Sequence, residues 1–163
     1  MSLTNSKCQE FQIPERLHTC GRSLVPRFEE SEPLYHRVER IKSDGTVPRS
    51  AFRIHGMSVI RGGLDGEPDD ALLDGETGQH KQNWGIVKFT VGQIEKLSWL
   101  DKEGNAWTLK LHHSPLDCLY PHSEIFVYKN DEMSEPSEEI IPLVRGRLAD
   151  PAICTVVRRP RTS

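Results

Sequence analysis

The segment Ala106–His113, AWTLKLHH, alternates without a break, with Trp107, Leu109, Leu111 and His113 on one side and Thr108, Lys110 and His112 on the other. A period of two is the pattern of a strand with one covered face. A chain with such a segment must build a sheet that buries one side. Trp84–Thr90, WGIVKFT, is rich in the β-branched and aromatic residues that fit a pleated surface. Leu34–Glu39, His122–Tyr128 and Ile153–Val157 are further strand segments. In Ala51–Ile60, simple alternation puts Phe52, Ile54, Ser58 and Ile60 on one face and Arg53, His55, Met57 and Val59 on the other, with Gly56 as a bend or bulge.

Helical signals are brief. Val91–Leu97 gives one or two turns, with Thr90 as N-cap and Ile94 and Leu97 on one face. Pro142–Ala149 forms a second short helix, with Pro142 at the first position, where a missing N–H costs nothing. Asp101–Asn105, DKEGN, is a hairpin turn. The expected fold is α+β and β-rich: five or six strands in a twisted or barrel-like sheet with one or two short helices.

At 163 residues the chain is long enough for one domain with a real core. Residues 1–33 read as a loosely structured N-terminal arm, because charges and prolines interrupt any apolar period. Residues 34–157 are the single domain. Within them, 61–83 is a long acidic loop with five glycines among its carboxylates, and 158–163 is a disordered basic tail. No stretch approaches the ~18 apolar residues needed to cross a bilayer, and the first residues lack the apolar run of a signal peptide. The expected location is therefore the cytoplasm, with no membrane partner. In that reducing compartment Cys8, Cys20, Cys118 and Cys154, which form no C-x-x-C pair, are expected to be free thiols.

Several residue groups have the right chemistry for a site. An EF-hand calcium loop takes oxygen ligands at alternating positions, a central glycine and a closing glutamate. Asp65, Glu67, Asp69 and Glu76 fall on that frame, but Asp70 stands where glycine is needed and Pro68 intrudes. Cys118 and His122, as C-x-x-x-H, have a spacing that zinc accepts, yet no second cysteine lies close in sequence. The expectation is no metal and no cofactor. The chain has no G-x-x-x-x-G-K-[Ser/Thr], no G-x-G-x-x-G after a strand and no G-x-S-x-G. His112-His113-Ser114 has half of the two-histidine phosphoesterase signature, and adjacent strand residues cannot share one site. If the protein is an enzyme, His36, His113 and His122 are the catalytic candidates and Glu124 the orienting carboxylate.

The net charge of −3 gives no general support to nucleic-acid binding. A local basic group, Arg37, Arg40, Lys42, Arg49 and Arg53, clusters around one turn and defines a nucleic-acid-binding alternative. Arg158, Arg159 and Arg161 are the candidates for contact with a protein partner.

Leu34-Tyr35-His36-Arg37-Val38, Arg49-Ser50-Ala51-Phe52, Met57-Ser58-Val59, Trp84-Gly85-Ile86-Val87 and Pro121-His122-Ser123-Glu124-Ile125 together resemble an uncharacterised group of small bacterial proteins sometimes encoded beside defence genes. The resemblance spans about residues 34–128 and implies an accessory role in a larger assembly, with no activity attached. The leading expectation is a non-enzymatic adaptor acting through protein–protein contacts, in a prokaryotic defence setting. The first alternative is a metal- or histidine-dependent phosphoesterase or nucleotide-group transferase, and the second a nucleic-acid-binding module.

Overall fold

The computed structural model describes residues 3–161. The chain is an α+β fold around one curled antiparallel sheet with few short helices. The strands are β1 (Pro33–Val38), β2 (Met57–Arg61), β3 (Gly85–Thr90), β4 (Ser98–Leu100), β5 (Ala106–His113), β6 (His122–Lys129), β7 (Glu132–Met133) and β8 (Thr155–Arg158). They pair in the order β4-β5-β6-β2-β1-β3-β8, and β7 adds to β6. Among the described residues eight strands replace the five or six expected; β4 and β7, three and two residues long, are too short to show a period. The helices among the described residues are α1 (Leu3–Glu10), α2 (Val91–Glu95) and α3 (Ile140–Leu148), one more than expected.

Local chemistry explains the elements that position the site. Thr90 caps α2 as its sequence suggests: its hydroxyl accepts from the Gln93 N–H, and the Gln93 side chain accepts from the Thr90 N–H. α3 begins two residues before Pro142, so the proline sits within its first turn, where no N–H is needed.

The two faces of the sheet bury different partners. On the first, Leu34, Val38, Met57, Val59, Val87, Phe89, Trp107, Leu109, Ile125 and Val127 form the main core with α2 and α3. On the second, Ile60 and Ile86 pack with Cys8, Ile13 and Leu17 from the arm, with Ala71, Leu72 and Leu73, and with Cys118 and Leu119.

Two expectations are corrected, and the 61–83 loop takes a defined form. The arm carries α1 and packs three side chains into this second cluster, so it is a built layer of the fold. The 61–83 segment is likewise ordered: Pro68–Leu72 forms a 3-10 turn, Leu73 bridges to His80, and the Asp70 carboxylate takes two hydrogen bonds from Arg16 at 2.8 Å each. Cys8 and Cys118 are joined in a disulfide, both fully buried, with Cα atoms 5.4 Å apart, so they are not free thiols.

Gly56 changes the phase of the chain. Its φ of +74° breaks the alternation expected for Ala51–Ile60, since glycine enters this region at no steric cost. Phe52, Ile54, Met57 and Val59 therefore all reach the main core, while Ser58 and Ile60 face the other way. No helix among the described residues is long and apolar enough to cross a membrane.

Candidate functional site

The second face is only partly covered. Between residues 71–76 and β6 it opens as a groove of about 620 Å3. Its walls include His36, Arg37, Arg53, Ser58, His122 and Glu124, with Tyr35 and Trp84 as aromatic surfaces and Asp74 and Glu76 on the 61–83 segment.

The register of β2 against β6 assembles the centre. Ser58 stands opposite Glu124, and Ile60 opposite His122. Directly paired side chains of an antiparallel sheet share a face, so these four point into the groove side together. Ser58 is exposed there, Glu124 half-buried and His122 buried.

His122 is held at both ring nitrogens. Nδ1 lies 2.6 Å from the Ser114 carbonyl oxygen, and Nε2 lies 3.0 Å from Ser58 Oγ. A carbonyl only accepts, so Nδ1 carries the proton and donates. In the neutral ring Nε2 is then bare, and it accepts from the Ser58 hydroxyl. A hydroxyl donating to a histidine that a third group orients is the arrangement that activates a serine nucleophile. Here a main-chain carbonyl takes the orienting place that a carboxylate fills in the Ser-His-Asp triad.

The other expected catalytic residues divide. Glu124 lies beside this pair, as its position in sequence suggests. His36 sits at the groove margin: its ring stacks on Phe52 with centroids 5.8 Å apart, and its nitrogens lie 2.8 Å from the Ser58 carbonyl oxygen and 3.4 Å from that of Ala51. Burial lowers its pKa below the usual histidine value. Its Nδ1, at 2.8 Å, donates its proton to the Ser58 carbonyl and so ties β1 to β2. His113 is not part of the site, because it follows the opposite parity to His112. Its Nδ1 accepts from the Val25 N–H at 2.9 Å and its Nε2 donates to the Tyr120 carbonyl at 2.8 Å. Burial lowers its pKa too, with the Arg61 charge acting in the same direction. His112 is on the second face, bonded through Nε2 to the Tyr128 hydroxyl at 2.8 Å.

The metal candidates do not converge. Among the described residues no three His, Cys, Asp or Glu side chains gather as a ligand set. The disulfide removes Cys118 as a thiolate ligand for a zinc site with His122. Asp65 adopts a left-handed backbone and offers its carbonyl to Arg16, Asp69 faces Arg158 at 3.7 Å, and Glu76 lies at the groove.

The basic group also splits. Arg37 and Arg53 line the groove, whereas Arg49 lies beside Gly146 of α3. Arg40 and Lys42 are exposed. The terminal arginines are not a loose tail: Arg158 ends β8 and donates to the Gln82 carbonyl, and the Arg161 N–H donates to the Asn83 carbonyl at 2.9 Å. Arg159 and Arg161 remain exposed, and Thr162 and Ser163 lie outside the described residues.

Sequence reading missed Ser58. The signal that would have found it is the glycine two residues earlier, whose left-handed backbone moves Ser58 to the face that carries His122 and Glu124. No family model, curated protein or solved structure matches this chain.

Proposed function

We propose that the protein is a histidine-dependent enzyme that transfers or hydrolyses a phosphoester in the groove on the second face of its sheet. One observation carries this reading: the Nδ1 proton of His122 is committed to the Ser114 carbonyl, which leaves Nε2 bare at 3.0 Å from an exposed serine hydroxyl. Ser58 Oγ attacks phosphorus while its proton passes to His122 Nε2. The leaving alcohol takes that proton back as the P–O bond breaks. Water or a second alcohol, deprotonated by the same nitrogen, then attacks phosphorus, and that proton passes from Nε2 to Ser58 Oγ as the Oγ–P bond breaks. Arg37 and Arg53 supply positive charge at the groove wall, where a phosphoester carries negative charge. Tyr35 and Trp84 offer flat faces for an aromatic or nucleobase portion.

The test is covalent labelling with a fluorophosphonate, which reacts with activated serines, together with turnover of bis(4-nitrophenyl) phosphate. Labelling at Ser58 that is lost in Ser58→Ala and in His122→Gln supports the reading. A wild-type protein that neither labels nor turns over overturns it and leaves the accessory role through protein contacts, in the defence setting that residues 34–128 suggest, as the better account. The proposed location is the cytoplasm.

A further inference from the structure

We infer that the Cys8–Cys118 disulfide is a redox-responsive clamp that positions His122 for its contact with Ser58. This rests on the reading of the groove as a reactive site, and it names the regulation of that site.

The segment 114–121 joins β5 to β6 and contains both Ser114, whose carbonyl orients His122, and Cys118. Leu116 and Leu119 close it into a small loop by reciprocal N–H···O=C bonds of 3.2 and 3.0 Å, and both line the groove. Much of what fixes this loop from outside comes from the arm. The Thr19 N–H donates to the Asp117 carbonyl at 3.0 Å and the Thr19 hydroxyl to that of Leu116. The Tyr120 N–H donates to the Leu17 carbonyl at 2.8 Å, and the Tyr120 hydroxyl donates to the Ser23 carbonyl. The disulfide is the one covalent tie between the arm and this loop among the described residues, across 110 positions of sequence. Ser114 itself is tied to β6, its N–H donating to the His122 carbonyl at 3.2 Å, so the arm bears on the orienting carbonyl through the residues that follow it in the loop.

A dithiol reduces the bond by thiol–disulfide exchange. The dithiol's thiolate attacks one sulfur to form a mixed disulfide, and its second thiol closes on the first. Two electrons and two protons pass to Cys8 and Cys118, and the dithiol leaves as its own disulfide. Both sulfurs are fully buried, so exchange requires α1 to lift first. In the cytoplasm a disulfide of this kind is a transient, redox-sensing bond rather than a permanent staple. Once it is open, the loop loses its covalent tie to α1 and keeps only hydrogen bonds: those with residues 17–23, that of the Arg61 N–H to the Pro121 carbonyl and that of His113 to the Tyr120 carbonyl; the His122 ring can then leave the Ser114 carbonyl. An atom misplaced by an ångström costs reactions of this type about a hundredfold.

The experiment compares oxidised protein, protein reduced with dithiothreitol, and a Cys8→Ser/Cys118→Ser variant. The first readout is the rate of fluorophosphonate labelling at Ser58 across pH. The second is the ring-nitrogen NMR signature of the His122 tautomer, which reports orientation whether or not Ser58 reacts. The clamp predicts a labelling rate about 10- to 100-fold lower when reduced, a His122 ring that leaves the single Nδ1–H form, unchanged overall folding by circular dichroism, and recovery on reoxidation. An unchanged His122 signature overturns the clamp, and so does loss of the whole fold on reduction, which makes the bond a structural staple. Oxidised protein with the expected tautomer but no labelling overturns the enzyme reading and leaves the clamp standing.

Discussion

Replacing Glu32 with alanine tests how far the arm is part of the domain. Glu32 and Arg61 are 6% and 2% exposed and form a two-pronged pair: Arg61 Nε donates to Oε2 at 2.8 Å and Nη2 donates to Oε1 at 3.0 Å. Oε2 also accepts from the Gly63 N–H at 3.2 Å. The remaining Arg61 donors reach the Val25 carbonyl at 2.5 Å and the Arg27 carbonyl at 2.7 Å, and the guanidinium lies 3.7 Å over the Phe28 ring. Glu32→Ala removes three charged hydrogen bonds and leaves a buried guanidinium with carbonyls alone. Breaking one side of a buried pair costs about 3–5 kcal/mol. At about 2–4 °C per kcal/mol for a chain of this size, Tm falls by about 6–20 °C. Thermal melts at pH 7 read the shift. Glu32→Gln keeps the shape and two acceptor contacts, and it should fall between the two. Glu32→Leu with Arg61→Met, which removes both charges together, should recover much of the loss, since an apolar pair can replace a buried ion pair. A Glu32→Ala melt within about 2 °C of wild type refutes the reasoning, because it would place the pair in contact with water.

Acid should weaken the fold through His36 and His113. Their folded pKa values lie below the unfolded value of 6.5, chiefly through burial, so between the two the unfolded state binds more protons. Stability is therefore whole above about pH 6.5 and declines as the pH falls below it; urea titrations at pH 7.5 and 5.5 should show this, and His113→Gln should lessen the difference. Gly56→Ala should cost about 1–2 kcal/mol, the penalty of a side chain in left-handed backbone, and a loss below a few tenths in a denaturant series would mean that the φ of +74° is not required. Cys154, whose thiol burial pushes up to about 12, should resist iodoacetamide in the folded protein and react in urea, as mass spectrometry of the peptide can show.

The sheet was legible wherever a single strand carried its own period. Ala106–His113 is a strand with the bounds that its alternation gives, and Gly85–Thr90 and His122–Lys129 differ by a residue or so. The arm was not legible, because its buried anchors Cys8, Ile13 and Leu17 are five and four positions apart and follow neither period. The 61–83 segment read only as a long acidic loop, because local sequence does not show the arginine that answers Asp70 from 54 positions away. The disulfide was invisible for the same reason, since nothing local ties Cys8 to Cys118. His122 and Glu124 were visible as a pair two apart on one strand, but their partner Ser58 was grouped with Phe52 and Ile54, which face the main core. Counting by twos through Gly56 carries the error forward, and only a change of phase at that glycine corrects it.

The phase change also explains why the site is held so closely. Met57 pairs with Ile125 and Val59 with Ser123 on the main-core face, while Ser58 pairs with Glu124 and Ile60 with His122 on the groove face. A slip of one residue between β2 and β6 would expose Met57 and Val59, which are 1% accessible, and bury Ser58 among apolar side chains. Core packing on one face thus fixes the register on the other. Ser58 and His122 are diagonal neighbours, about 7–8 Å apart at the backbone, and the length of an imidazole spans that gap to a 3.0 Å contact. The strand pairing brings the two side chains within reach, and the Ser114 carbonyl decides which nitrogen of His122 meets the hydroxyl. Assembly of the pair therefore belongs to the main core, whereas its chemical orientation belongs to the Ser114 carbonyl at the start of the β5–β6 connection.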